Sequence, residues 1–133
     1  DSLGFKPGTS IPVFRALGVT FGVLICHDTS FPFPAMLASE QGAEILFTPH
    51  YNEIGSQQMD DHRRWVRNCH VGLATQFKVV VARSNIVKSS RAGELGYGES
   101  FILSPQGTEL SKAELFKEQL ITARIEPAMF QGP

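Results

Sequence analysis

The sequence has almost no net charge, few cysteines and no long hydrophobic run. Its 133 residues include 12 basic and 13 acidic side chains, a formal net charge of −1. This balance argues against a nucleic-acid-binding surface and against a polyanionic tail. The longest apolar run, residues 21–26, is much shorter than the about 20 residues that cross a bilayer. We therefore expect no nucleic-acid partner and no membrane partner.

The cysteines and the chain ends suggest a cytoplasmic protein that continues beyond this sequence. Cys26 and Cys69 form no CxxC pair, so we expect free thiols. Signal-peptide and lipidation patterns are lacking, and we expect a cytoplasmic location. The chain starts at Asp1 instead of Met, which we interpret as a start within a longer protein. Residues 130–133 resemble a viral-protease site used in expression tags, and we interpret them as a cloning remnant.

Apolar periodicity alternates between strands and helices, which predicts an α/β layer structure. Asp28-Thr29-Ser30 followed by Pro32 predicts the start of a helix that Gly42 ends. A second helix is predicted over about 58–76, because apolar side chains recur there every three, four and seven residues. Residues 50–57 and 88–98 are interpreted as loops, and residues 105–107 as a hairpin turn. The predicted strands are 13–17, 21–26, 45–48, 79–82, 101–103 and 120–125.

Cys26 is predicted to lie where a buried strand ends and a helix begins. Backbone amides at a helix N-terminus stabilise a thiolate, the nucleophilic form of cysteine. The backbone amide of His27 is then placed to donate to an oxyanion on a substrate. The alternative is a small buried side chain, because free cysteine is among the most buried residue types. As a nucleophile, Cys26 should be more reactive than Cys69, which is predicted to lie on the buried stripe of the long helix.

The residues around Cys26 form a recognisable series of motifs. In chain order these are Phe5-x-Pro7-Gly8, Gly22 to Asp28 around Cys26, Phe31-Pro32, Gly42 to Pro49, the arginine-bearing segment 64–76, the strand and asparagine at 79–85, Gly98-Glu99-Ser100 and Ser104 to Gly107. The series covers nearly the whole chain. It resembles the nitrilase, or carbon–nitrogen hydrolase, superfamily around its nucleophile.

The resemblance implies a hydrolase of non-peptide carbon–nitrogen bonds that acts through a cysteine thioester, with Cys26 as the nucleophile. The family fold is a four-layer αββα sandwich, and this sequence resembles its C-terminal half. The family's glutamate base and lysine precede the cysteine in segments that this sequence does not include. The loop with Tyr51 and Asn52 then borders the substrate pocket; an ordinary solvated turn is the alternative. We expect no cofactor and no metal.

The residues after Cys26 favour one branch of the family. His27-Asp28 resembles the amidase and carbamoylase branches, whereas true nitrilases tend to have Trp-Glu or Gly-Glu there, so a small-molecule amide is the expected substrate. The sequence departs from the family pattern at Ser30, where arginine is frequent, and at Phe33, where glutamate is usual. It also has Thr75-Gln76 where Glu-Asn is frequent. These departures affect the surrounding ionic contacts and leave the nucleophile in place.

Three further groups of residues have competing interpretations. His62, Cys69 and His70 share one helix, but no second pair completes a four-ligand zinc site. The glycines of residues 93–98 have the wrong order for a phosphate-binding GxGxxG loop, and a flexible loop is favoured. The three arginines of residues 63–67 are either dimer-facing, as the resemblance implies, or part of a solvated basic face.

Two functional hypotheses follow for the whole chain. It is either part of an amidase-like enzyme that needs its N-terminal half, or a non-catalytic assembly module with a nitrilase-like fold. Cys26 favours the enzyme, and the missing base and lysine favour the module for this chain alone. In both cases the apolar strands need a cover, either the N-terminal half or a second copy of the chain. We therefore expect a homo-oligomer.

Overall fold

The structure is a computed structural model that describes residues 4, 6 and 8–130. The strands are β1 (Val13–Ala16), β2 (Val19–Val23), β3 (Ile45–Pro49), β4 (Glu53–Gly55), β5 (Val80–Ser84), β6 (Glu94–Gly96), β7 (Phe101–Leu103) and β8 (Glu109–Lys112). The α-helices are α1 (Pro32–Glu40) and α2 (Met59–Phe77), and the 3₁₀ helices are Cys26–Ser30 and Pro127–Phe130. The motif residues Phe5 and Pro7, and the last three residues of the segment interpreted as a cloning remnant, lie outside the described residues.

A mixed six-stranded sheet organises the fold, with strand order β1-β2-β3-β5-β7-β8. The central strands β2, β3 and β5 are parallel, and α1 and α2 connect them in turn. Strands β1, β7 and β8 pair antiparallel with their neighbours. A separate antiparallel pair joins β4 to β6. The α/β prediction is therefore confirmed.

Both α-helices pack on the same face of the sheet. The core contains Leu46 and Val81 from the central strands, together with Ala38 of α1 and Leu73 of α2. Helix α1 packs closely against β2 because the facing residues are small, alanines on α1 and Gly22 on β2. A Cβ at Gly22 would lie 3.1 Å from Leu46 Cδ2 and 3.3 Å from Ala38 Cβ. The hydrophobic core of the described residues lies between this face of the sheet and the two helices.

The opposite face of the sheet is apolar and open. Phe14, Phe21 and Phe47 form a ladder of rings across β1, β2 and β3, with centroids 5.6 and 5.4 Å apart. Phe14 is 47% exposed and Phe47 is 43% exposed. Val23 pairs with Phe47 and is exposed as well. Several aromatic and aliphatic side chains thus share one surface that the described residues leave uncovered; the predicted need for a cover stays a prediction.

The prediction of an unbroken strand at 21–26 is wrong at its end. Strand β2 ends at Val23, and Cys26 opens a 3₁₀ helix instead of α1. Phe31 is the N-cap of α1 and supplies no side-chain cap bond. Asp28 instead accepts a hydrogen bond from the backbone N–H of Ile25 at 2.9 Å. The residues interpreted as a helix cap therefore close a tight turn of their own.

Other predictions have mixed outcomes. Helix α2 and the turn at 105–107 are confirmed, the latter joining β7 to β8. The strand predicted at 120–125 is absent, because β8 already takes the place beside β7 and residues 120–125 pair with no strand. The predicted loops 50–57 and 88–98 contribute β4 and β6, which pair with each other. Trp65, expected on the buried stripe of α2, is half exposed, whereas His70 is buried.

No helix within the described residues is both long enough and apolar enough to cross a membrane.

The core packing predicts a large difference between two identical substitutions. Leu46 is 0% exposed and Leu120 is 93% exposed. Leu46→Ala should lower the free energy of unfolding by about 2–5 kcal/mol, because it removes core contacts and leaves a cavity. Leu120→Ala should change it by about 0.5 kcal/mol or less. Urea unfolding monitored by circular dichroism measures both, and equal losses would contradict the assignment of the core.

Candidate active site

Cys26 lies in a strained turn at the end of β2. Its φ angle is +50°, a left-handed conformation that costs a non-glycine residue about 1–2 kcal/mol. Two local hydrogen bonds hold the turn: Thr29 Oγ1 donates to Cys26 O at 2.7 Å, and Ile25 N–H donates to the Asp28 carboxylate. His27 occupies the first turn of the 3₁₀ helix, where backbone N–H groups have no acceptor within the helix. The turn therefore presents a thiol and a backbone amide at the carboxyl end of a parallel strand.

A small cavity of about 110 Å³ adjoins this turn. Cys26, His27 and Asn52 are among its lining residues, so the structure brings together three of the four predicted site residues. Tyr51 is the exception. It is 58% exposed, lines a separate cleft, and donates a hydrogen bond to Ser90 Oγ.

Asn52 connects the sulfur to the interior of the protein. Its Nδ2 donates a weak hydrogen bond to Cys26 Sγ at 3.8 Å, a distance within the range of hydrogen bonds to sulfur. Its Oδ1 accepts a hydrogen bond from Arg83 Nη2 at 2.9 Å. Its backbone N–H donates to Asn85 Oδ1 at 2.9 Å. The side chain of Asn52 is therefore held between a cation and a thiol.

Arg83 is a buried cation on β5, only 3% exposed. Its Nη1 donates to the backbone carbonyls of Gly98 and Glu99, and its Nη2 also donates to the Tyr97 hydroxyl. Burial lowers the pKa of Arg83, while the charges of Tyr97, Glu99 and Cys26 act in the opposite direction. Arg83 thus places a positive charge behind the cavity and close to Cys26.

Three of the four histidines that line the cavity, His50, His62 and His70, have lowered pKa values and are neutral at physiological pH. Burial lowers the pKa of His50 to about 4 and that of His70 to about 3. Burial, and then the charge of Arg83, lower the pKa of His62. His50 Nδ1 donates a hydrogen bond to Thr48 O, so the Nε2 atom of the neutral ring can only accept one. Nε2 lies 3.2 Å from Thr29 Oγ1. It therefore competes with Cys26 O for the single hydroxyl proton of Thr29. These three imidazoles therefore supply no positive charge beside the thiol, whereas Arg83 does.

Cys69 lies closer to Cys26 than the sequence suggests. It is half-buried and lines the same cavity, together with His62 and His70. Burial raises the pKa of the Cys69 thiol. Within residues 4, 6 and 8–130, no three His, Cys, Asp or Glu side chains are arranged to hold a metal ion.

The arginines of α2 form ion pairs instead of a free basic face. Arg63 donates to both oxygens of Glu99, at 2.8 and 2.6 Å, and Lys112 lies 3.0 Å from the same carboxylate. The hydrogen bond to Glu99 raises the pKa of Arg63. Burial acts to raise the pKa of Glu99, but the bonds from Arg63 and Lys112 outweigh it and lower that pKa. These bonds attach α2 to the β7–β8 hairpin; the dimer-facing hypothesis stays a prediction.

Sequence reasoning missed Arg83, although a signal was present. Arg83 directly follows the apolar run at 79–82, and a charged residue that continues a strand buried on both faces is seldom solvated. His50 and His70 gave weaker signals, since a histidine on an apolar face is ordinary. Spacing alone did not indicate that His50 and His70 line one cavity, nor that Arg83 lies behind it and contacts Asn52.

Comparisons with known proteins agree with this geometry. The family model described as carbon-nitrogen hydrolase matches residues 2–132. The N-carbamoylputrescine amidase of Arabidopsis thaliana is 35% identical over 96% of this chain and 46% of that relative. An omega-amidase of Xenopus tropicalis is 29% identical over 95% of this chain and 44% of its own length. The chain therefore spans less than half the length of these curated relatives.

Solved structures share the fold. A carbon-nitrogen hydrolase from Helicobacter pylori superposes with a TM-score of 0.77, at 22% identity, over 89% of this chain and 44% of that chain. The amidase NitN from Neterenkonia sp. AN1 gives a TM-score of 0.75, at 20% identity, over 97% of this chain and 48% of that chain. The fold expected from the resemblance to the nitrilase superfamily is confirmed.

The lowered histidine pKa values predict acid sensitivity. In the unfolded chain the histidine side chains take up protons near pH 6.5, whereas in the folded protein His50 does so only near pH 4 and His70 only near pH 3. Stability is thus complete above pH 6.5 and falls as the pH drops below it, by up to about 1.4 kcal/mol per pH unit for each histidine. His70→Gln should remove one histidine's share of this slope. Urea unfolding between pH 5 and 7 tests this, and an unchanged slope in the variant would contradict the burial of a neutral His70.

Proposed function

The chain belongs to the carbon–nitrogen hydrolase family, and we propose that it carries the cysteine nucleophile of an amidase-like enzyme. The observation that carries the proposal is the placement of Cys26. Its thiol lies in a strained turn at the end of a parallel strand, contacts Asn52, and lines a cavity with His27. A solved relative supports the assignment, since an amidase from Nesterenkonia sp. AN1 carries the acetamide moiety of fluoroacetamide covalently added at its active-site cysteine.

The reaction follows from these groups. The thiolate of Cys26 attacks the amide carbon, and the carbonyl oxygen becomes an oxyanion that accepts a hydrogen bond from the His27 backbone N–H. Collapse of this intermediate breaks the carbon–nitrogen bond, leaving the acyl group on sulfur as a thioester. The amine leaves with a proton. Water then cleaves the thioester, releases the carboxylic acid and regenerates the thiol.

The described residues do not supply all the proton transfers. The first step needs a base to take the thiol proton, and the leaving amine needs a donor. His50, His62 and His70 have lowered pKa values and hydrogen bonds of their own, which makes them poor bases. We assign these steps to a glutamate base and a lysine in an N-terminal half, in keeping with the share of its relatives that the chain spans.

The substrate class follows from the relatives and from the cavity. The curated relatives include amidases for an N-carbamoyl amine and for omega-amides, as their names state. A cavity of about 110 Å³ suits the small acyl group of such compounds. We therefore propose a small-molecule carboxamide or carbamoyl amide as the substrate, with Asn52 beside the reacting sulfur. Tyr51 lines a different cleft, so we propose at most a contact with substrate at the entrance of the cavity.

The uncovered face of the sheet provides the surface for the missing part. Its aromatic ladder of Phe14, Phe21 and Phe47 needs an apolar cover, because burial of apolar area contributes about 25 cal/mol per Å². We propose that the N-terminal half supplies this cover in the complete enzyme and that a second copy substitutes for it when the chain is alone. The complete protein is proposed to be a cytoplasmic homo-oligomer.

The chain alone should not hydrolyse amides. General acid–base catalysis contributes about 10²–10⁴ in rate and one oxyanion donor about 10²–10³, so ammonia release from simple carboxamides should match that of Cys26→Ala. Co-expression with the N-terminal half should restore turnover that Cys26→Ala abolishes and Cys69→Ala retains. Turnover that depends on Cys26 in the chain alone would contradict the role given to the missing residues. Absence of turnover with the N-terminal half present would favour the assembly module.

The open face predicts association. Static light scattering should show that the isolated chain forms dimers or larger species. Phe47→Lys should shift it toward monomer, because the substitution places a charge within the apolar face. Phe33→Lys is the matched control on the helical side, where Phe33 is also exposed, and it should leave the distribution unchanged. A stable, folded wild-type monomer would show that the face needs no cover.

A further inference from the structure

We propose that Arg83 is a positioning residue, which acts through Asn52 to direct an amide N–H at the Cys26 sulfur and so stabilises the thiolate that forms there when the nucleophile is activated. Arg83 is absent from the lining of the cavity that contains Cys26 and Asn52, so we assign it a role behind the cavity and not a contact with substrate. The inference rests on the proposed role of Cys26 as nucleophile. It adds an activating group within this chain, distinct from the base assigned to the N-terminal half.

The position of Arg83 is fixed by acceptors on other elements. Its Nη1 reaches Glu99 O at 2.9 Å and Gly98 O at 3.3 Å, and its Nη2 reaches Tyr97 Oη at 3.2 Å. The guanidinium also lies over the ring of Phe101, 5.5 Å from its centroid. These contacts come from the segment between β6 and β7 and from β7 itself. They hold the guanidinium group in place, independently of its hydrogen bond to Asn52.

Arg83 determines which way the Asn52 amide faces. A guanidinium only donates hydrogen bonds, so the atom of Asn52 that lies 2.9 Å from Nη2 must be the carbonyl oxygen Oδ1. The NH₂ group then faces Cys26 Sγ, at 3.8 Å. A neutral partner that both donates and accepts at position 83 would permit the flipped amide, which directs a carbonyl oxygen at the sulfur and repels a thiolate.

The charge of Arg83 also lacks a dedicated anion. The Glu99 carboxylate, whose charge acts on Arg83, is already shared by Arg63 and Lys112. Nε of Arg83 is buried and has no hydrogen-bond partner among the described residues. Buried charges in proteins are ordinarily paired. A thiolate formed at Cys26 when the nucleophile is activated, linked to Arg83 through the amide of Asn52, supplies such a partner.

The other ionisable groups around the site do not replace this role. They are His27 and Asp28 on the 3₁₀ turn, His50 after β3, His62, Cys69 and His70 on α2, and Tyr97 and Glu99 between β6 and β7. Asp28 is bound to the Ile25 amide, and the buried histidines carry no charge at pH 7. Arg83 is thus the cation connected to the sulfur by hydrogen bonds.

The test is the pH profile of Cys26 alkylation by iodoacetamide, followed by peptide mapping, in the 133-residue chain without substrate. Arg83→Met should move the midpoint for Cys26 upward by about one pH unit, because the oriented donor and the charge are both lost. Arg83→Lys keeps the charge and should give an intermediate midpoint. The midpoint is preferable to a single rate, because a more basic thiolate is intrinsically more nucleophilic and partly hides the change.

Two controls separate activation of the thiol from damage to the fold. Arg15→Met removes an exposed arginine from β1 and should leave the Cys26 midpoint unchanged. Asn52→Asp keeps the shape and a bond to Arg83 but replaces the donor with a carboxylate, so it should raise the midpoint even if Arg83→Met fails to fold. An unchanged midpoint in folded Arg83→Met, or in Asn52→Asp, would overturn the proposal. Because no turnover is measured, that result would leave the amidase proposal standing.

Discussion

Two helices pack on one face of the sheet, and this one-sided packing determines the rest of the architecture. It directs Leu46 and Val81 toward α1 and α2 and leaves Phe21 and Phe47 on the other side. It also places α2 across the carboxyl ends of β3 and β5, where the cavity beside Cys26 forms. A sheet covered on both sides by the described residues would have no open aromatic face.

The same packing explains why the site contains so many buried polar groups. His70 reaches the site from the buried side of α2, and Arg83 reaches it from β5. Both are paired with backbone carbonyls, His70 with Val66 and Arg83 with Gly98 and Glu99. Backbone acceptors fix these side chains without neutralising Arg83. The cavity is therefore bordered by the neutral His50, His62 and His70, with the cation of Arg83 behind it, a setting that favours an anion such as a thiolate.

Much of the fold was predictable, because strand and helix periodicities are local. Helix α2 and the parallel strands β3 and β5 were found in this way, and the motifs around Cys26 indicated the family. The turn at Cys26 was mispredicted because the apolar run to residue 26 hides a change of backbone direction: Leu24 still donates to Phe47 O, but Cys26 already has a positive φ. Arg83 and Tyr97 were missed as site residues, because their roles depend on contacts between distant segments. The extra strand at 120–125 failed for the same reason, since β-structure requires a free neighbouring strand.

At Cys26 the left-handed backbone lowers the stability of the fold, while the proposed chemistry requires a cysteine there. Glycine adopts this conformation without steric penalty, so selection for stability alone favours glycine there, and Cys26→Gly is a change of the kind that relieves backbone strain while removing the proposed nucleophile. A directed-evolution experiment that rewards only soluble expression would therefore drift toward loss of the thiol. Thermostabilising this family member safely requires that residue 26 be held constant while changes are sought elsewhere, for example on the exposed surfaces of α1 and β8.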